Sequence, residues 1–205
     1  MVAACVLLSP VWASAFDQPT DKLSADVHDL HRWALDTGDT HQQPFAIVDK
    51  KAARIFVFDG QGRLVGASNA LLGQAPGDHQ PLTSVSDSQV AQLPLADRTT
   101  PAGRFASQPG RNLSGEAVVW FDYAAALAIH RVRPGASQAR RLRDLASDTP
   151  DDNRASLGCV VVTPAFFEAV LQPTLGRQRG VVYVLPEDRP VQAMFGRPLP
   201  LAQAR

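Results

Sequence analysis

The apolar runs of this chain are short, rich in β-branched residues, and set apart by proline or glycine. Phe45 to Val48, Arg54 to Asp59, "EAVVWFDY", "ALAIHRVR", "GCVVV" and "GVVYVLP" each have the length of a strand rather than of a helix. Sixteen prolines and fourteen glycines among 205 residues supply the turns that so many short strands need. The pattern predicts one mainly β domain with two or three peripheral helices, and the chain is long enough to bury a real core.

Individual stretches sharpen this. "PFAIVDKKAARIFVFDGQGRLVGASNALLG" reads as a β-meander, with "DGQG" as the turn before a strand that resumes at Leu64. "GVVYVLP" lacks polar alternation and is expected to be buried on both faces. Leu23, Val27, Leu30 and Ala34 recur at helical spacing and predict an amphipathic helix over residues 22–36, ending near Gly38. Thr163-Pro164 is an N-cap followed by proline at the first helical position, opening "AFFEAVLQPTL". "PGASQARRLRDLASDTPDDNR" is expected to be a solvated helix and loop whose arginines are ion-paired or face water. Residues 73–98 carry almost no periodicity, and read either as the border of a cleft or as a mobile insertion.

Charge excludes some partners. Twenty basic residues balance twenty acidic ones, and no aromatic-basic interleaving suggests nucleic acid. No apolar run has the length of a transmembrane span. At the N-terminus, "MVAACVLLSPVWASA" closes on Ala13-Ser14-Ala15, a small-x-small cleavage signal, and is expected to be an export signal over residues 1–15. It lacks a positive n-region, so the start of translation is open. A lipoprotein anchored at Cys5 and an uncleaved N-terminal helix are the alternatives. The expected location is the periplasm or cell envelope.

Export matters because cleavage after Ala15 would leave Cys159 without an intramolecular cysteine partner. In an oxidising compartment such a thiol is either buried and inert or kept for its chemistry. Chemistry needs a thiolate, which a neighbouring imidazole can supply by taking the proton. Of His28, His31, His41, His79 and His130, His130 alone falls in an expected core strand, sharing a face with Ala128 and Val132. His28 and His31 are either solvated or a metal pair lacking a third ligand. From pattern alone, Cys159 and His130 remain open between core residues and a catalytic pair.

Five stretches, in order, resemble the catalytic domain of L,D-transpeptidases, the YkuD-type fold. "AIVDKKAARIFVFDGQGRLV" is similar to the opening hairpin of that family and "RTTPAGRF" to its TPxGxF element. "AIHRV" is similar to the strand bearing the catalytic histidine, and "ASLGCVVV" sits where the family has S-H-G-C-[IV]; "GVVYVLP" resembles its last strand. The likeness covers residues 44–186, with residues 16–43 as a helical lead-in and 187–205 as a C-terminal tail. It implies a β-sandwich-like fold, Cys159 as nucleophile, His130 as base and then acid, and Ser156 and Gly158 shaping the turn around the sulfur and its oxyanion hole. It further implies diaminopimelate-containing peptidoglycan stem peptides as substrate, a thioester intermediate, 3→3 cross-linking or L,D-carboxypeptidase activity, and no metal or organic cofactor.

Two positions depart from the pattern. Leu157 replaces the motif histidine, and Val161 stands where arginine or asparagine is usual. The interval from His130 to Cys159 is also longer than in the common pattern. Arg131, Asn153 and Arg154 are then candidates to bind a substrate carboxylate, Arg154 equally for an ion pair with Asp151 or Asp152. A catalytically silent peptidoglycan-binding domain and a periplasmic thiol-redox protein are the alternative functions.

Overall fold

The computed structural model describes residues 23–79 and 92–196. The expected leader with Cys5, the middle of the aperiodic stretch and residues 197–205 lie outside the described residues.

The architecture is mainly β with a few helices. Among the described residues ten strands run β1 (Phe45–Asp49), β2 (Arg54–Phe58), β3 (Leu64–Asn69), β4 (Leu72–Gly73), β5 (Gly103–Arg111), β6 (Ala117–Asp122), β7 (Leu127–Arg131), β8 (Arg154–Ser156), β9 (Val160–Val162) and β10 (Gly180–Val184). Among the described residues four α-helices join them: α1 (Ala25–Asp36), α2 (Gln138–Ala146), α3 (Pro164–Phe166) and α4 (Val191–Phe195). Helix α4 falls in the stretch expected as a tail, and α3 widens into a π-helical turn over Phe167–Leu171. No described helix is long and apolar enough to cross a membrane.

Eight strands form one mixed sheet in the order β3-β2-β1-β10-β5-β6-β7-β9. Strand β5 serves both halves, pairing with β10 through Gly103–Ser107 and with β6 through Gln108–Arg111. The sheet folds over at β5, and an antiparallel bridge between Leu71 and Val161 nearly closes it. Between the two halves lie Ala46, Val48, Ile55 and Val57 from one side and Val119, Phe121, Leu127, Ile129, Val160 and Val162 from the other. This is sandwich packing, with alternate residues of each strand turned inward.

The outer face of the β1–β2–β10 half is also covered. Val27, Leu30 and Ala34 of α1 and Val191 and Phe195 of α4 pack on Phe45, Ile47, Phe56, Phe58, Val181 and Tyr183. That second layer is why β1 and β10 are buried at every position and read as unbroken apolar runs. Ser24 caps α1, accepting from the amide of Val27 at 3.2 Å. Thr163 caps α3 in the same way, accepting from Phe166 N at 3.2 Å.

The hairpins β1–β2, β2–β3, β5–β6 and β6–β7 are antiparallel, but β7 and β9 run parallel. A parallel pair needs a crossover. Here the crossover is the arginine-rich segment, which contributes α2 and then β8, itself paired with β4. The connection that makes the parallel pair possible therefore passes over the sheet face that bears Cys159 and His130.

Candidate active site

The register of β7 and β9 sets Ile129 opposite Val160 and His130 opposite Val161. Cys159 stands two residues before Val161, so it occupies the same face as His130, diagonally across the pair. Leu127, Ile129, Val160 and Val162 take the opposite face and enter the core. Cys159 and His130 both line a cavity of about 330 Å³, walled by Val118 and Trp120 of β6, Ala128 of β7 and Val161 of β9.

The turn ahead of Cys159 is held by its own side chains. Ser156 Oγ donates to the carbonyl of Cys159 at 2.6 Å and accepts from Gly158 N at 3.1 Å. Gly158 has φ of 130°, a conformation reserved for glycine, and an added Cβ would lie 2.8 Å from Thr99 O and 2.9 Å from Leu127 Cδ2. From outside the turn, Thr100 Oγ1 donates to Gly158 O at 3.0 Å and accepts from Gly73 N at 2.8 Å. The "TTPAGRF" element thus braces the backbone that presents the cysteine.

Cys159 is half-buried and carries a thiol rather than a disulfide. Its Sγ donates to Ala126 O at 3.7 Å. Ala126 reaches that position with φ of 55°, in the left-handed region that non-glycine residues rarely occupy. Cys159 also interacts electrostatically with the Arg141 guanidinium.

His130 is buried, and its Nδ1 lies 2.8 Å from the carbonyl of Arg131. A carbonyl only accepts, so Nδ1 carries the proton and Nε2 keeps its lone pair. Burial pushes the pKa down to about 4, against the hydrogen bond to Arg131; the charges of Arg133 and Arg141 push it down further, and Glu116 opposes them. At neutral pH the ring is a neutral imidazole of fixed tautomer, able to receive a proton at Nε2.

Of the remaining residues singled out in the sequence, Ser156 lines the cavity and Gly158 holds the turn. Arg131, Asn153 and Arg154 are engaged elsewhere. Arg131 faces Glu116 at 3.7 Å and Glu168 at 3.8 Å. Asn153 is buried and donates to Ala70 O at 3.1 Å. Arg154 pairs with Glu187, not with Asp151 or Asp152, and also donates to Lys50 O at 3.4 Å. His31 Nε2 meets Gly62 O at 2.8 Å while its ring packs on Phe45 and Phe58. Among the described residues no cluster of three or more His, Cys, Asp or Glu is placed to hold a metal ion.

Both departures from the common motif lie in the cavity wall, Leu157 and Val161. Sequence reading missed the two arginines of the wall, Arg133 and Arg141. Arg141 and Leu142 lie four and three residues before Leu145, on the flank of α2 that Leu145 marks, but in so charged a segment that spacing does not set Arg141 apart. That face is drawn inward, where Leu142 and Leu145 pack against Leu71, Val132, Ala155 and Val161. Where the arginines of this segment were expected to face water or an acid, Arg141 is half-buried and lines the cavity.

No protein-family model matches the chain, and no curated protein matches it significantly. Solved structures do. The fold is similar to that of L,D-transpeptidase catalytic domains. The catalytic domain of an L,D-transpeptidase from E. faecium is 16% identical over 70% of this chain and 98% of that one, with a TM-score of 0.37. An L,D-transpeptidase from Xylanimonas cellulosilytica is 18% identical over 69% of this chain and 60% of its own, TM-score 0.40. The helical cell shape determining protein Pgp2 from Campylobacter jejuni is 13% identical over 78% of this chain and 56% of its own, TM-score 0.44. Identities this low say nothing of activity, which is a matter for Cys159, His130 and their surroundings.

Proposed function

We propose that this protein is a cysteine-dependent L,D-transpeptidase or L,D-carboxypeptidase acting on peptidoglycan stem peptides in the cell envelope. One observation carries the reading: Cys159 and His130 line one cavity on one face of a parallel strand pair, with the imidazole tautomer set to accept a proton.

The chemistry follows from those two groups. His130 Nε2 takes the thiol proton as Sγ attacks the carbonyl of the third stem residue. The resulting tetrahedral adduct collapses, the C–N bond breaks, and the imidazolium returns its proton to the departing D-alanine amine. A thioester to Cys159 remains. An amine from a second stem, or water, then attacks that thioester, giving its proton to His130 while the thiol re-forms. Neutral His130 suits the first step, because a ring already protonated could not act as base.

Leu157 supports a second reading, a silent domain that binds peptidoglycan without cleaving it, since an apolar wall residue brings no polar group to orient a substrate. Incubation of the full chain with purified stem tetrapeptide, followed by mass analysis, separates the two. Release of D-alanine that disappears in Cys159→Ala supports the enzyme. Binding without release, unchanged in Cys159→Ala, supports the silent domain.

A further inference from the structure

Helix α2 brings a guanidinium into the cavity wall beside the thiol and the imidazole. Leu142 and Leu145 seat the helix in an apolar cluster with Leu71, Val132, Ala155 and Val161, and Arg141, one turn before Leu145, enters the cavity wall. Arg141 is poorly provided for. Its Nη2 has a long contact with Ala155 O at 3.4 Å, and its Nε is buried without a hydrogen-bond partner. Among the described residues no carboxylate lies within ion-pair distance of it. Arg133 lines the same cavity, its charge shared with Glu116 at 3.2 Å.

The wall therefore holds two guanidinium groups and no Asp or Glu, in a chain whose charges balance overall. Burial lowers the Arg141 pKa and the charges of Arg140 and Arg133 lower it further, while Asp144 and Cys159 oppose them; a bound anion would add to that opposition. An arginine fork matches a carboxylate in plane and spacing, which a lysine does not.

We propose that Arg141, assisted by Arg133, forms a carboxylate-binding subsite beside Cys159 that selects a peptide with a free carboxylate next to the attacked carbonyl. The inference rests on the acyl-transfer reading for its ligand, but binding tests it independently of turnover. Two groups of a stem tetrapeptide have this chemistry: the C-terminal carboxylate of the leaving residue and the side-chain carboxylate of diaminopimelate. A carboxylate held here also offsets the two positive charges that help keep His130 neutral, so recognition and base strength rise together.

The test uses the full chain with Cys159→Ala, so that nothing turns over. Isothermal titration compares the tetrapeptide acid with its C-terminal amide and with its diaminopimelate amide. The acid is expected to bind at least about tenfold tighter than one of the amides, and the weaker amide identifies the carboxylate bound. Adding Arg141→Met should abolish that preference, and Arg141→Lys should restore only part of it. Equal affinity for the acid and both amides overturns the subsite, and that comparison needs no change at Arg141. A preference that survives Arg141→Met, with thermal unfolding unchanged, overturns it as well. Acid preference in a protein that never forms an acyl-enzyme removes the catalytic reading and leaves the subsite standing.

Discussion

Thr100 Oγ1 donates to the carbonyl of Gly158 at 3.0 Å, tying the element before β5 to the residue that precedes Cys159. The same oxygen accepts from Gly73 N, so one hydroxyl joins three segments far apart in sequence. Thr100→Val keeps the shape and removes both bonds. It is expected to destabilise the protein by about 2 kcal/mol, because a buried carbonyl and a buried amide each lose their partner. Denaturant unfolding measures the loss, and thiol acylation should slow beyond what the loss of folded protein explains.

Behind Thr100 stands a buried cation. Lys50 Nζ donates to Gly77 O at 2.6 Å, Asp78 Oδ1 at 2.7 Å and Thr100 O at 3.0 Å, with both charged side chains of the Lys50–Asp78 pair almost wholly buried. Burial alone would raise the Asp78 pKa, but hydrogen bonds with Asp188, Lys50 and Glu187 hold it well below the usual carboxylate range. Lys50→Met strands that carboxylate and should cost about 3–5 kcal/mol. Calorimetric unfolding at neutral pH reads this directly, and the deficit should shrink as pH falls below about 4 and Asp78 protonates.

His130 gives a pH dependence of its own. Its pKa of about 4 in the folded chain lies below the 6.5 of an unhindered imidazole. The unfolded state therefore binds the proton first on acidification. Stability from this group is complete above pH 6.5 and is lost as pH falls towards 4, a change of roughly 3 kcal/mol. The Tm of the unaltered protein should drop across that window, and His130→Gln should remove that part of the slope. Acylation rates in the same buffers should hold nearly level down to about pH 5.

Gly158→Ala places a methyl within 3 Å of Thr99 O and Leu127 Cδ2, at a φ that alanine avoids. The turn must shift or the chain unfold. Loss of Cys159 reactivity is expected even in the fraction that stays folded by circular dichroism.

Much of this fold was legible because apolar periodicity reports which faces are buried. Val27, Leu30 and Ala34 at helical spacing mark the packed face of α1, and the unbroken run of β10 reports cover on both sides. Strands β4 and β8, two and three residues long, were not legible, since so short a run shows no alternation. Nor was the cluster around Lys50, whose partners Asp78, Thr100 and Glu187 meet only through tertiary folding.

The site divides in the same way. Cys159 and His130 stand out by residue type and by the short strands around them. Arg141 does not, because an arginine in a polar, charge-rich segment is ordinarily solvated. What turns it inward is the docking of α2, which brings Leu142 and Leu145 into one apolar cluster with Leu71, Val132, Ala155 and Val161, a tertiary packing that local pattern does not announce. The three residues first considered as carboxylate binders, Arg131, Asn153 and Arg154, are each held by other groups.

The central claim is that Cys159 is an activated nucleophile served by His130. Intact-mass measurement after exposing the full chain to a carbapenem tests it most directly, since a strained cyclic amide acylates a poised thiolate and marks it by mass. The expected result is a single adduct on Cys159, absent in Cys159→Ala and strongly slowed in His130→Ala. An unmodified protein whose thiol still reacts with a small alkylating reagent would contradict the claim, for the sulfur would then be accessible but not activated.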